Sequence, residues 1–192
     1  MDEKSLQAAA RILNAGGVVI LPTDTVYGIA AHPGHPEAIR RIQCIKGRPS
    51  DKPIALLAAD RQSVVDFGAV FPGAAMRLAE TYWPGALTLV LPCRGTTEGF
   101  RVPDYEPTRQ LLRLCGGVLR VTSANLSGRQ PAVSAVETLR GIGLEADLVI
   151  DGGISPGGVA STVVRFDEAG APVILREGAI SRAELLGTGS RQ

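Results

Sequence analysis

Short continuous apolar runs alternate along the chain with segments in which apolar residues recur every three or four positions. Runs of about four to eight apolar residues are typical of buried strands, whereas the longer period is typical of helices with one buried face. Strands are therefore predicted at 18–21, 54–58, 86–91, 100–102, 118–121, 148–150, 162–166 and 173–175. Helices are predicted at 6–13, 36–46, 61–67, 73–82, 107–114 and 134–140, with a last short helix after Ser181.

The order of these elements predicts the fold class. Strands alternate with helices in the first half of the chain, whereas the last strands follow one another directly. This mixture indicates an α/β protein with one mixed parallel and antiparallel sheet, helices packed on it, and no closed barrel. The 192 residues are most simply one domain, assigned to residues 1–186, followed by a flexible polar tail over residues 187–192.

Composition narrows the class of protein. The chain is 45% hydrophobic and 20% charged, as in ordinary globular proteins, and its net charge of +1 neither favours nor excludes a nucleic-acid partner. The odd number and wide spacing of Cys44, Cys93 and Cys115 fit reduced thiols better than disulfides or a zinc site. No apolar run approaches the roughly 20 residues of a membrane span, and the N-terminus lacks a signal-peptide pattern. We therefore expect a cytoplasmic protein without a membrane partner.

A polar patch follows the first predicted strand. Pro22 ends that strand, and the patch consists of Thr23, Asp24, Thr25 and Tyr27. Because strand ends of open α/β sheets border crevices, these hydroxyls and the carboxylate are well placed to face a ligand. The same residue types are common in turns, so the patch alone fits a ligand site and an ordinary turn about equally.

The most basic segment, residues 40–52, contains five cations and one acid. Arg40 and Arg41 lie within the predicted helix and are interpreted as facing solvent. Lys46 ends the helix, and Arg48 and Lys52 follow it in a loop that contains glycine and proline and leads into a strand. Lys46 could simply complement the helix dipole, but three cations held close together are also what a triphosphate requires.

Further polar side chains lie at the ends of other apolar strands, namely Arg101, Arg120, Ser123, Asn125, Ser161 and Arg176. Serine and asparagine offer donors and acceptors to a base, ribose or phosphate, and an arginine on a strand could bind a carboxylate with two hydrogen bonds. Each position alone also fits a turn or a surface cation. Together with the patch after the first strand and the basic loop, they predict one polar crevice.

Two common nucleotide-binding motifs are absent from the sequence. Neither G-x-x-x-x-G-K-[ST] nor G-x-G-x-x-G occurs, which argues against a P-loop protein and a dinucleotide-binding Rossmann domain. His32 and His35 are interpreted as loop residues rather than metal ligands.

Seven segments occur in the order known from one family. They are 21–28 (LPTDTVYG), 46–49 with 52–53 (KGRP, KP), 83–90 (WPGALTLV), 101–103 (RVP), 122–128 (TSANLSG), 160–164 (ASTVV) and 175–178 (LREG). Taken together they resemble the YrdC-like family of L-threonylcarbamoyladenylate synthases and cover nearly the whole chain. The resemblance implies a twisted open sheet around a concave basic cavity. It also implies formation of threonylcarbamoyl-AMP and pyrophosphate from L-threonine, bicarbonate or CO2, and ATP.

The resemblance also implies roles for single residues. Threonine would contact Thr25, Tyr27, Arg101 and Ser161. The phosphates of ATP would contact Lys46, Arg48 and Lys52, of which Lys46 and Arg48 would be catalytic, and the rest of the nucleotide would contact Thr97, Ser123, Asn125 and Arg176. Mg2+ would be held mainly by the ATP phosphates, without a protein metal site. The product would pass to partner proteins that modify tRNA.

Leu57 departs from the family pattern, because longer members often carry a histidine at this position near the threonine. Two alternatives to the synthase remain open at this point. The same basic surface could bind double-stranded RNA or tRNA without catalysis. A carbamoyl transferase that uses carbamoyl phosphate, as in a related domain of hydrogenase maturation proteins, is the other alternative.

Overall fold

The computed structural model describes residues 2–49 and 52–187, in which nine strands form one sheet. The strands are β1 (Val18–Leu21), β2 (Gly28–Ala31), β3 (Leu56–Ala58), β4 (Leu87–Cys93), β5 (Thr96–Arg101), β6 (Val118–Ser123), β7 (Leu148–Val149), β8 (Thr162–Phe166) and β9 (Pro172–Arg176). The helices are α1 (Glu3–Asn14), α2 (Pro36–Lys46), α3 (Arg61–Asp66), α4 (Gly73–Tyr82), α5 (Glu106–Leu114), α6 (Ala135–Arg140) and α7 (Arg182–Leu185). A 3₁₀ turn spans Gly143–Glu145.

The strand order is β7-β1-β2-β6-β3-β5-β4-β8-β9. The pairs β7–β1, β3–β5 and β4–β8 are parallel, and the other neighbours are antiparallel. Within the described residues β7 and β9 are the two edges, so the sheet is open. The predicted α/β class with a mixed open sheet is confirmed.

Serine side chains cap the starts of two helices, and a glycine ends a third. Ser134 and Ser181 accept hydrogen bonds from the backbone N–H groups of Glu137 and Glu184, both at 3.2 Å. Gly47 follows α2 with a φ of +56°, a left-handed conformation that glycine adopts without steric cost. This residue turns the chain directly into the basic loop.

The half of the sheet around β1 is covered by helices on both faces. Val19 and Leu21 pack with α1 and α5, whereas Val18 and Ile20 pack with α2 and α6. Burial on both faces is the reason that this strand appears in the sequence as a continuous apolar run.

The other half of the sheet, around β4, has two different faces. Leu87, Leu89 and Leu91 pack with α4 in a core cluster, whereas Thr88 and Val90 point to the opposite face. Successive side chains of a strand alternate between the faces of a sheet. The face that carries Thr88 and Val90 forms the floor of a cavity.

β2 differs from the sequence prediction, which left residues 28–31 outside any strand. Its sequence, Gly-Ile-Ala-Ala, contains one β-branched residue and begins with glycine, which is disfavoured in strands. The glycine is required here because a Cβ at Gly28 would lie 2.5 Å from Val121 Cγ1 on β6. Close packing between neighbouring strands therefore overrides the local preference.

The hairpin between β4 and β5 is longer than predicted, because β5 begins four residues earlier than expected. Arg94 and Gly95 join the two strands with φ values of +51° and +81°, as in two-residue hairpins of type I′. Thr97 and Gly99 face the cavity instead of a core. The first part of β5 therefore lacks the apolar pattern that predicts a strand.

None of the helices in residues 2–49 and 52–187 has the length and apolar character needed to cross a membrane. Of the predicted flexible tail, residues 188–192 lie outside the described residues.

We expect Phe100→Ala to lower the free energy of unfolding by about 3–5 kcal/mol, because the ring is fully buried in the core cluster between the sheet and α4 and its loss leaves a cavity. Chemical denaturation measures this. Leu144→Ala is the control, since Leu144 is 83% exposed and its change should stay within about 0.5 kcal/mol. Similar losses in the two variants would contradict the assignment of the core.

Candidate active site

A cavity of about 410 Å³ lies on the open face of β3, β5, β4 and β8. Eight of the eleven predicted site residues line it: Thr25, Tyr27, Arg48, Thr97, Arg101, Ser123, Ser161 and Arg176. The other three, Lys46, Lys52 and Asn125, are not part of the lining. Residues from distant parts of the chain thus meet at one cavity.

The loop after β1 is held by its own hydroxyl groups. Thr23 Oγ1 donates to the carbonyl of Val26 at 2.7 Å and accepts from the N–H groups of Thr25 and Val26 at 3.1 and 3.3 Å. Such side chain to backbone bonds fix turns. Thr23 and Thr25 are nearly fully buried and line the cavity. The segment is therefore both a turn and part of the cavity wall, the two interpretations that the sequence left open.

Arg101 forms the buried inner end of the cavity, where only 6% of the residue is exposed. Its Nη1 donates to Thr25 Oγ1 at 2.8 Å, its Nη2 to Asp24 Oδ1 at 2.5 Å, and its Nε to the carbonyl of Gly85 at 2.9 Å. Burial lowers the pKa of Arg101, and the Asp24 carboxylate counteracts this shift. An arginine in such surroundings remains protonated, so the inner end of the cavity is lined by a fixed cation.

Ser161 also lines the cavity, at the entry of β8. Its hydroxyl is 2.8 Å from Thr88 Oγ1, and both residues are buried. The carbonyl of Ser161 accepts from Arg176 Nη2 at 2.8 Å, which holds the guanidinium of β9 against the start of β8. The arrangement leaves hydroxyl groups and a second cation along one wall.

Tyr27 lines the cavity, yet its hydroxyl is engaged with the protein. Tyr27 Oη donates to the carbonyl of Gly153 at 2.7 Å and accepts from the N–H of Gly152 at 3.0 Å. Burial raises the pKa of Tyr27, so the hydroxyl keeps its proton at neutral pH.

Lys46 ends α2 inside the protein and is 2% exposed. Its ammonium donates to the carbonyls of Ser123 and Asn125, at 2.6 Å for the latter, and its own carbonyl accepts from Ser127 N–H at 2.8 Å. Burial, with a smaller effect of Arg48, lowers the pKa of Lys46 to about 8. Lys46 thus lies behind the strand end of β6 and holds the 123–127 loop against α2.

Three further residues predicted to contact ATP differ in their position relative to the cavity. Arg48 lines the cavity and donates from Nη2 to the carbonyl of Pro53 at 2.9 Å. Lys52 is exposed and does not line the cavity. The Asn125 amide donates to carbonyl groups of its own loop, while its Oδ1 is buried and has no hydrogen-bond partner in the described part of the chain.

Arg48 lies close enough to Lys46 and to Arg176 for its charge to affect the pKa values of both. Arg48 contributes to the lowered pKa of Lys46 and, after burial, to that of Arg176. None of the ion pairs found in residues 2–49 and 52–187 involves any of the three. Their positive charge is therefore balanced by no neighbouring carboxylate there, and an anion in the cavity would be attracted.

Two sequence-based candidates have other partners in the structure. Arg120 is bound bidentately to Glu98 at 2.6 Å and is not part of the cavity lining, so its interpretation as a clamp for a substrate carboxylate is wrong. His32 and His35 bond to neighbouring backbone groups, as expected of loop residues. No group of three or more His, Cys, Asp or Glu side chains in the described ranges could hold a metal ion.

Two residues that line the cavity lie outside the polar patches from which the site was predicted. Leu57 lines the cavity and is 5% exposed, so an apolar side chain occupies the position at which the resemblance suggested histidine. Thr88 was overlooked because it lies within an apolar strand. The alternation of Thr88 with leucines is the one signal that could have indicated its position on the cavity face.

Residues 153–157 match the pattern G-x-S-x-G, which in α/β-hydrolases marks a nucleophile on a strand-to-helix turn. Ser155 lies instead in the loop between β7 and β8, and its buried hydroxyl has no hydrogen-bond partner among the described residues. A histidine base is therefore not bonded to it, and the motif match lacks the context of a hydrolase.

A model of the Sua5/YciO/YrdC family, described as "Telomere recombination", matches residues 11–178. The chain belongs to this family. The match confirms the resemblance that the ordered motifs indicated.

Several curated relatives of the chain are named threonylcarbamoyl-AMP synthase. A threonylcarbamoyl-AMP synthase of Bacillus subtilis is 33% identical over 96% of this chain, and one of Pyrococcus abyssi is 34% identical over 96%. The chain spans only 56% and 57% of the length of these two proteins. A putative threonylcarbamoyl-AMP synthase of Mycobacterium tuberculosis is 33% identical and is covered over 90% of its length.

Solved structures agree in fold. P. abyssi Sua5 complexed with L-threonine superposes with a TM-score of 0.87 at 34% identity, over 93% of this chain and 55% of that one. Escherichia coli YciO superposes with a TM-score of 0.84 at 26% identity, over 96% of this chain and 93% of that one.

The buried ammonium of Lys46 predicts a pH dependence of stability. Burial lowers the pKa of Lys46 from 10.5, the ordinary value in an unfolded chain, to about 8 in the folded protein. Between these values the unfolded state binds more protons, so the free energy of unfolding rises with pH. Relative to Lys46→Met, the wild type should gain up to about 3 kcal/mol between pH of about 7.5 and about 10.5. Denaturation curves at both pH values measure it, and parallel profiles of the two proteins would contradict the burial of a charged lysine.

Proposed function

We propose that the chain is a threonylcarbamoyl-AMP synthase that forms threonylcarbamoyl-AMP and pyrophosphate from L-threonine, bicarbonate or CO2, and ATP. The observation that carries the proposal is one cavity in which a buried cation is paired with a carboxylate at the inner end, while cations without a carboxylate partner in the described residues lie nearer the opening. The names of the curated relatives and the threonine complex of P. abyssi Sua5 support it.

The inner end of the cavity suits a small amino acid. Thr25, Arg101 and Ser161 are all less than 8% exposed, and they offer a guanidinium and two hydroxyl groups. In such a dry environment a guanidinium binds a carboxylate strongly. We assign the threonine carboxylate to Arg101, with the two hydroxyl groups available to the polar groups of the substrate.

The outer part suits a triphosphate. Arg48 and Arg176 line it without a carboxylate partner in the described residues, and Lys46 lies behind the wall. Phosphate oxygens would supply the missing counter-charge and relieve the repulsion among these cations. Lys46 also fixes Ser123 and the neighbouring Asn125, so the predicted nucleotide contacts depend on it even where it does not touch a phosphate.

The chemistry requires alignment more than a nucleophilic side chain. The ammonium group of threonine loses a proton to solvent, its nitrogen bonds to the carbon of CO2 as one C–O π bond opens, and loss of a second proton to solvent leaves a carbamate. An oxygen of this carbamate then attacks the α-phosphorus of ATP. The bond to the leaving pyrophosphate breaks in line with this attack. Fixed cations can lower the barrier by positioning the reactants and by balancing the developing charge on phosphate oxygens.

Mg2+ would enter with the nucleotide. The cavity offers mainly cations and hydroxyl groups, and the carboxylate nearest its inner end, Asp24, is paired with Arg101. Magnesium commonly keeps several waters and is held through substrate phosphates. We therefore propose that ATP phosphates and water supply most of its ligands.

The product, a mixed anhydride, must be consumed by an acyl-transfer reaction, which in this proposal is carried out by partner proteins that modify tRNA. The RNA-binding alternative is not better supported by the comparisons. It would be favoured by tRNA affinity that falls steeply with salt in a protein without threonine-dependent turnover.

We expect Arg48→Ala to reduce threonine-dependent pyrophosphate release by about 100-fold or more in kcat/KM, because it removes a cation from the reacting phosphates. Release from ATP with and without threonine and bicarbonate measures the activity. Arg40→Ala is the matched control, since Arg40 pairs with Glu37 on the exposed face of α2. Full activity of the Arg48 variant would contradict the phosphate site, and a wild type without threonine-dependent release would contradict the proposed function.

A further inference from the structure

The loop between β7 and β8, residues 150–161, has no regular secondary structure and reaches the cavity at its C-terminal end. It contains two pairs of glycines, at 152–153 and 157–158. Its last two residues, Ala160 and Ser161, line the cavity. The position of Ser161 therefore depends on how this β7–β8 loop is held.

The middle of the β7–β8 loop lies directly on the loop after β1. The N–H of Gly157 donates to the carbonyl of Asp24 at 3.0 Å, and the N–H of Gly158 to the carbonyl of Thr25 at 2.8 Å. A Cβ at Gly157 would lie 2.7 Å from that carbonyl oxygen of Asp24. The two backbones thus approach closely, and each fixes the other.

The start of the β7–β8 loop is held by a side chain. Tyr27 Oη accepts from Gly152 N–H at 3.0 Å and donates to the carbonyl of Gly153 at 2.7 Å, while the ring is fully buried. The single proton of this hydroxyl is therefore used within the protein.

The backbone of Tyr27 is fixed as well. Its N–H donates to the carbonyl of Ala132 at 2.9 Å, and its carbonyl accepts from the N–H of Ala124 at 2.8 Å. The residue thus connects the end of the loop after β1, the segment after β6 and the β7–β8 loop. A rigid side chain at such a junction can set the relative positions of all three.

We propose that Tyr27 is a positioning residue for the amino-acid end of the cavity, which acts through the β7–β8 loop and not by a hydroxyl contact to threonine. The hydroxyl fixes Gly152 and Gly153, and the fixed loop in turn holds Thr25 and Ser161 at the spacing that the substrate requires. This inference rests on the proposed function, because it names threonine as the ligand of that end.

The test uses Tyr27→Phe, which removes one oxygen atom and keeps the ring. In pyrophosphate-release assays we expect the KM for threonine to rise about 10-fold, because the variant loses both hydrogen bonds that hold Gly152 and Gly153, while kcat and the KM for ATP stay within about 2-fold. Hydrogen exchange should become faster in residues 152–158. A purely structural role would instead lower the melting temperature without this selective change in KM.

Tyr105→Phe is the matched control, because Tyr105 Oη also points to Gly152 but lies 3.4 Å from its carbonyl. Its KM for threonine should stay within about 2-fold of wild type. Gly157→Ala is a second variant, which disturbs the same loop with Tyr27 intact and should raise the KM for threonine in the same direction. It decides the question if Tyr27→Phe does not fold.

An unchanged KM for threonine in Tyr27→Phe, or unchanged exchange in residues 152–158, overturns the inference. An equal rise in Tyr105→Phe also overturns it. A wild-type protein without threonine-dependent release would contradict the proposed function instead, and the exchange measurement would still decide whether Tyr27 holds the loop.

Discussion

The buried ion pair of Arg101 and Asp24 is the interaction on which the cavity depends. In the sheet, β1 and β5 are separated by three other strands, so the loop after β1 must cross the open face to reach Arg101. A guanidinium that is 6% exposed is costly to bury unless its donors are satisfied. Asp24, Thr25 and the carbonyl of Gly85 accept from three of its five N–H groups, which leaves two for a ligand. The same three bonds close the inner end of the cavity.

The cation at the inner end of the cavity differs from the cations further out in its burial and in having a carboxylate partner. At the inner end the cation has a carboxylate partner and solvent is nearly excluded, whereas Arg48 and Arg176 lie further out without such a partner in the described residues. A compact substrate with one carboxylate fits the first environment, and a polyanion fits the second. The boundary between them is where an amino acid and the α-phosphate of a nucleotide would have to meet.

The fold class and most residues of the cavity could be predicted from the sequence, because both depend on local patterns of apolar and polar residues along the chain. Apolar runs identified β1 and β6, and polar residues directly after them proved to line one cavity. β2 was missed because its small residues are selected by contact with β6, which the local pattern does not contain. Thr88 was missed because its strand is apolar on the other face.

Distinguishing residues that face the cavity from residues that support it required the structure. Lys46 and Arg48 are separated by a single glycine, yet Lys46 turns to carbonyls behind β6 while Arg48 lines the cavity. Arg120 and Arg101 looked alike in the sequence, but Arg101 lines the cavity, whereas Arg120 is bound to Glu98 and does not line it. The first difference arises at the left-handed Gly47 that ends α2, and the second from the alternation of strand side chains between the two faces of the sheet.

The most direct test of the whole account is a crystal structure of the protein with L-threonine and a non-hydrolysable ATP analogue. The account predicts the threonine carboxylate on Arg101 and the phosphates beside Arg48 in the same cavity. Threonine and nucleotide bound on separate surfaces, or phosphates far from Arg48, would contradict it.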